Sequence, residues 1–109
     1  MNRGDVVVVA VVGDYGKPRP ALVVQSDYFN DTHGSITIAP ITSTLVDAPL
    51  FRVTIEPTPH TGLRSVSQIM IDKITTIKRD KIGKAVGRID DEAVRRVNRA
   101  IALWFGLGA

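Results

Sequence analysis

No cysteine occurs among the 109 residues. That removes thiolate catalysis, thiolate zinc sites and disulfides together, and it suits a reducing compartment. Histidine is scarce as well: His33 and His60 stand in separate polar loops with no partner at metal-ligand spacing, so no metal centre is expected. Long apolar runs are missing too. The longest, Val6 to Val12, falls far short of the roughly 20 residues that cross a bilayer. An acidic Asp5 directly before it does not suit a signal peptide. Glycines are scattered, with neither a GxxxxGK[ST] nor a GxGxxG pattern to cradle a nucleotide, and no serine stands in a nucleophile elbow. These absences lead to the expectation of a cytoplasmic chain without cofactor, metal or membrane contact.

What is present fits one globular domain over residues 1–109, with 44% hydrophobic and 23% charged side chains and no repeat or low-complexity segment. The charge is uneven. Residues 1–72 carry five basic and seven acidic side chains, a balance of −2, whereas residues 73–109 carry nine and four, a balance of +5. A basic C-terminal third suits a polyanion or an acidic protein partner.

Short runs of alternating or β-branched residues dominate. The valines of 6–12 form a first strand, and Arg19 to Gln25 a second after the turn-forming stretch Gly13 to Pro18. Ser26 to Ser35 reads as a polar loop. Further strands are expected at 36–42, ending near Pro40, and at 50–55, 65–71, 74–77 and 81–89, the last with Gly83 and Gly87 relieving its curvature. Only the end is helical. Asp90 is a suitable N-cap, Asp91 and Glu92 favour the positive end of the helix dipole, and Val94, Val97, Ile101, Trp104 and Phe105 recur at helical spacing as a core-facing stripe. Arg95, Arg96 and Arg99 lie opposite, and Gly106 and Gly108 end the helix. Many short, curved strands with one closing helix predict a mainly β (α+β) fold, a small SH3-like curved β-barrel with a C-terminal helix.

One arginine is held unusually. Arg19 stands between Pro18 and Pro20, whose rings fix the backbone on both sides and reduce the entropy lost on ordering. Thr42, Ser43 and Thr44 stand where the third strand ends. If the second and third strands pair antiparallel, Arg19 and Thr42 face each other. A fixed guanidinium beside a hydroxyl suits one phosphate group; a salt-bridged arginine and a strand-capping threonine fit the same local pattern.

"RGDVV" at the start, "RPALVVQSDYFN" after a short loop, "IAPITS" after the next strand and "SQIMIDKITTI" before the basic strand and final helix resemble, in order and spacing, the MazF/PemK family. Its members are the toxin components of bacterial toxin–antitoxin systems. The resemblance implies a barrel of the MazF/CcdB type and a homodimer. It also implies metal-independent endoribonuclease cleavage of single-stranded RNA, leaving a 2′,3′-cyclic phosphate and a 5′-OH. It makes Arg19 and Thr42 the catalytic pair and Asp72 a candidate for substrate contact or proton transfer. Tyr15, Lys17, Ser43 and Lys73 become candidates for substrate binding. The short 13–18 loop and Lys73, where relatives often carry glutamine, depart from the family at surfaces that read bases.

Two other functions share parts of this pattern. A CcdB-like gyrase poison would use Trp104-Phe105-Gly106, although the helical spacing places those rings in the core. A non-catalytic nucleic-acid-binding barrel would use only the basic third. A two-faced valine strand is further expected to need cover from a second copy, with the RNA groove crossing the two-fold. The resemblance also implies a cognate antitoxin with an acidic, disordered tail, drawn to Lys17, Arg19, Lys73, Lys78, Arg79, Lys81, Lys84 and Arg88.

Overall fold

A computed structural model describes residues 1–10 and 17–108; Val11, Val12 and most of the 13–18 turn, Tyr15 included, lie outside the described residues. Seven strands follow: β1 (Asp5–Ala10), β2 (Pro18–Val23), β3 (Ser35–Thr42), β4 (Arg52–Ile55), β5 (Ser67–Met70), β6 (Thr75–Lys78) and β7 (Ile82–Arg88). Helix α1 (Asp27–Asn30) joins β2 to β3, and α2 (Asp91–Trp104) closes the chain. Short 3-10 turns at 71–73 and 79–81 flank β6. The strands form one antiparallel, strongly curved sheet in the order β4-β5-β3-β2-β1-β7, with β6 paired to β3 off that path.

Strand β3 makes this curvature. Its first half pairs with β6, Ile38 opposite Thr75, and its second half with β5, Ile41 opposite Ile69. Between them sits Pro40, which cannot donate to a ladder. The alternation along the central strands then builds two cores, one on each face. Val6, Leu22, Ala39 and Ile41 point to the face covered by α2, through Ala93, Val97 and Ala100. Val7, Val9, Ala21, Val23, Ile36 and Ile38 point to the other, where Ile77 of β6 and Ile82 of β7 curl over them.

This arrangement corrects the reasoning that the valine strand needs an outside cover. Val6, Val7 and Val9 are buried within the single chain, because α2 covers one face and the bent sheet brings β6 and β7 over the other. Shifts in the β1–β7 register between Val6 and Val7 and between Val7 and Val9 accompany that bending.

Two further expectations change. The polar 26–35 segment holds a helical turn: the Ser26 side chain accepts from the Tyr28 N–H, and Asn30 is buried at its end. One turn is too short to show a helical period in sequence. On α2, Asp90 caps as expected, accepting from the Ala93 N–H, and Val97 is buried. Trp104 and Phe105, however, are 48% and 55% exposed and are not core. Near the end of α2 the Trp104 ring meets that of Phe51, at 5.5 Å between centroids.

Candidate active site

The β2–β3 ladder pairs Ala21 with Pro40 and Val23 with Ile38. The ladder ends at Ala21 and Pro40, and counted on from there Arg19 and Thr42 share one register position. Both belong to the face of the second core, one step beyond Ala21 and Pro40, where the apolar side chains give out. An alternation that buries residues in mid-strand therefore puts a guanidinium and a hydroxyl on one face at the strand ends.

Arg19, Thr42, Ser43 and Lys73 line one open groove of about 1180 Å³, together with Thr44, Arg64, Ser65, Ser67 and Thr75. Its floor and walls include Val8, Pro18, Pro20, Pro40, Leu63, Met70 and Val86. Arg19 is exposed and Thr42 half-buried. The Thr42 Oγ1 accepts from the Thr44 N–H at 3.1 Å, which fixes the rotamer and leaves the hydroxyl hydrogen to donate into the groove. Three cations and a set of hydroxyls line the groove, and no carboxylate or imidazole does so among the described residues. That surface can hold and neutralise a chain of phosphates.

The other expected residues fall elsewhere. Asp72 lies in the 71–73 turn, half-buried, and its carboxylate accepts both Nε and Nη2 of Arg52, at 2.8 and 3.2 Å. The Arg52 hydrogen bonds hold its pKa below the ordinary value, against the opposing effect of burial. The structure thus ties Asp72 to β4 and does not bring it to the groove lining. Lys17 is exposed just before β2 and also stands off the lining. Of the basic third, Arg79 donates to the backbone oxygens of Asn30 and His33, and Arg88 pairs with Asp5 at 3.5 Å. Those two hold the chain to itself.

Sequence reasoning missed Arg64, Ser65 and Ser67. They follow a Pro- and Thr-rich loop that carries no motif, and their approach to Arg19 depends on contacts between distant segments. The nearest signal was the pair Gly62 and Gly87, whose use appears only in three dimensions.

The family model of PemK-like, MazF-like toxins of type II toxin–antitoxin systems matches residues 2–105. A probable endoribonuclease MazF from Mycolicibacterium smegmatis is 46% identical over 108 residues, covering 98% of each chain. Endoribonuclease EndoA from Bacillus subtilis is 30% identical over 112 residues, covering 98% of this chain and 96% of its own. Among solved structures, an endoribonuclease in complex with its cognate antitoxin, from a mycobacterial species, aligns with a TM-score of 0.84. That alignment covers 100% of this chain and 98% of its own at 22% identity, and it bears on the fold.

Proposed function

Because this chain belongs to the PemK-like, MazF-like toxins of type II toxin–antitoxin systems, we propose that it is an endoribonuclease acting on single-stranded RNA in the cytoplasm. The observation that carries this reading is the placement of Arg19 and Thr42 on one face of one cation- and hydroxyl-lined groove. In the reaction a ribose 2′-oxygen attacks its own 3′-phosphorus. The 2′-O–P bond forms, the P–O5′ bond breaks, the 2′ proton is lost and the 5′ oxygen gains one. The products are a 2′,3′-cyclic phosphate and a 5′-OH.

A guanidinium such as that of Arg19 is no base. Its charge meets the non-bridging oxygens as negative charge builds, and the Thr42 hydroxyl donates to the same group. Rigid flanking prolines reduce the cost of holding the guanidinium there. Ser43 and Lys73 contact the strand. Asp72, through Arg52, holds the turn that presents Lys73. The groove supplies cations and hydroxyls where a divalent metal would want carboxylates or imidazoles, so the reaction proceeds without one.

A homodimer remains part of the reading on a different footing from the valine strand. Leu45, Val46, Leu50, Leu103, Trp104, Phe105 and Leu107 are all at least 45% exposed. Several of them share the cleft between the 45–50 loop and α2. Single exposed apolar residues are ordinary, but Val46, Leu50 and Leu103 around one cleft favour a covered surface. The antitoxin is a protein with an acidic, disordered tail that folds on the groove carrying Arg19 and Lys73 and competes with RNA.

Incubation of purified protein with single-stranded RNA in excess EDTA, with mass analysis of the fragments, tests the reading. Fragments ending in a 2′,3′-cyclic phosphate and beginning with a 5′-OH are expected. Cleavage that stops with chelator and returns with magnesium would contradict it.

A further inference from the structure

The loop from Glu56 to Val66 is built as a rigid wall. Thr58 and Thr61 lock its middle: the Thr58 N–H donates to the Thr61 Oγ1 at 3.1 Å, and the Thr61 N–H to the Thr58 Oγ1 at 3.2 Å. Thr61 is only 6% exposed. The loop then lies flush on β7. Gly62 adopts a left-handed φ of +71°, and a Cβ there would stand 2.4 Å from the Val86 oxygen; one on Gly87 would stand 2.3 Å from the His60 oxygen. Only glycine permits that approach. The Arg88 N–H closes the contact, donating to the His60 oxygen at 2.7 Å.

Arg64 follows two residues later. It is exposed, lines the same groove as Arg19, and has no hydrogen-bond or ion-pair partner among the described residues. That sets it apart from Arg3, Arg52, Arg79, Arg88 and Arg96, each of which holds a carbonyl or carboxylate of the chain. Behind it, the Ser67 hydroxyl donates to the Ser65 oxygen at 2.9 Å and fixes the way into β5. A locked loop that carries an unengaged guanidinium into a groove lined by no described acid is arranged for an external anion.

We propose that Arg64 is a positioning residue that grips a phosphate of the RNA strand other than the scissile one, and so sets the register of the strand over Arg19 and Thr42. The proposal rests on the RNA-cleaving function above. A single-stranded RNA carries one phosphate per nucleotide, so a strand seated at Arg19 must run its neighbouring phosphates along the groove walls. A planar guanidinium can take such a group with two parallel hydrogen bonds. Arg64 therefore contributes to binding and not to bond breaking.

The test compares the full-length protein with Arg64→Ala and Arg64→Lys. Binding of a single-stranded RNA methylated at every 2′-oxygen, which cannot be cut, is measured by fluorescence anisotropy between 50 and 200 mM salt. Arg64→Ala should make the dependence of log affinity on log salt shallower by about 0.7, the value for one phosphate contact on a single strand. On cleavable RNA its KM should rise about tenfold, with kcat and the thermal midpoint close to wild type. Arg64→Lys should keep the salt slope and regain part of the affinity. An unchanged slope and KM would overturn the proposal, as would a loss confined to kcat or a lowered thermal midpoint. If wild-type protein neither binds nor cuts RNA, the proposed function falls and this role falls with it; if only the variant comparison fails, the function stands.

Discussion

Two of the grooves lined by the described residues contain arginine. In the smaller, about 470 Å³ between the 45–50 loop and α2, Arg52, Arg96 and Arg99 share the lining with Asp47 and with Leu50 and Leu103. Two of these arginines are already engaged. Arg52 is bidentate on Asp72, and Arg96 donates to Glu92 at 2.9 Å and to the Thr54 oxygen at 2.8 Å. In the larger groove Arg64 and Lys73 share the lining with Thr42, Ser43, Thr44 and Ser65, and Arg19 stands at its edge. The residue type is the same and its neighbours differ. Beside an acid, an arginine staples the fold; Arg64, in a lining of hydroxyls with a second cation, offers a field for a polyanion.

The sharpest way to break that contrast is to remove one arginine from each groove. Arg19→Ala should lower kcat by about 100- to 1000-fold, the cost of deleting one donor that meets developing charge. Its thermal midpoint should change little, since the side chain is exposed. Arg99→Ala, measured in the same cleavage assay, should leave the rate near wild type. Equal losses in both would erase the distinction between the grooves.

The staple should answer to stability instead. Asp72→Asn leaves the half-buried Arg52 guanidinium without its carboxylate and should cost about 1.5–3 kcal/mol in denaturant unfolding at neutral pH. The Asp72 pKa is lower in the folded chain than its ordinary 3.8. The stabilisation is therefore fully present above that value and is lost as pH falls through the lowered one. The gap between wild type and variant should close in acid. A fall in cleavage rate without a fall in stability would return Asp72 to the reaction.

Gly87→Ala probes the loop pressed on β7, which carries Arg64 into the larger groove. A Cβ 2.3 Å from the His60 oxygen must push the loop away, at about 1–3 kcal/mol, and should raise KM for RNA by displacing Arg64. Smallest of all, Asp90→Ala removes the cap of α2 for about 1 kcal/mol. It should leave KM untouched, because α2 lines only the other groove.

Much of this was legible in the chain itself. Alternation in 36–42 and the Pro-Arg-Pro junction located β3, β2 and the face shared by Arg19 and Thr42, because strand periodicity is local information. The capping Asp90 marked α2 for the same reason. What stayed hidden depends on long-range packing. Nothing near Val7 shows that β6 and β7 will curl over it. Helical spacing placed Trp104 on the apolar stripe, but burial there depends on what packs against the helix, and Trp104 stays half exposed. The pairing of Asp72 with Arg52 joins residues 20 apart in sequence, and Arg64 reaches the groove only because two glycines let a loop lie on a strand.

The central claim is that Arg19 and Thr42 act together on one phosphate. A double-mutant cycle on kcat, with Arg19→Ala, Thr42→Val and the double variant assayed on one single-stranded RNA, tests it most directly. Groups that serve the same transition state lose far less together than the product of their separate losses. The double variant should therefore fall close to the worse single variant. Losses that multiply in full, or a Thr42→Val variant as fast as wild type, would show that the two side chains do not share a phosphate.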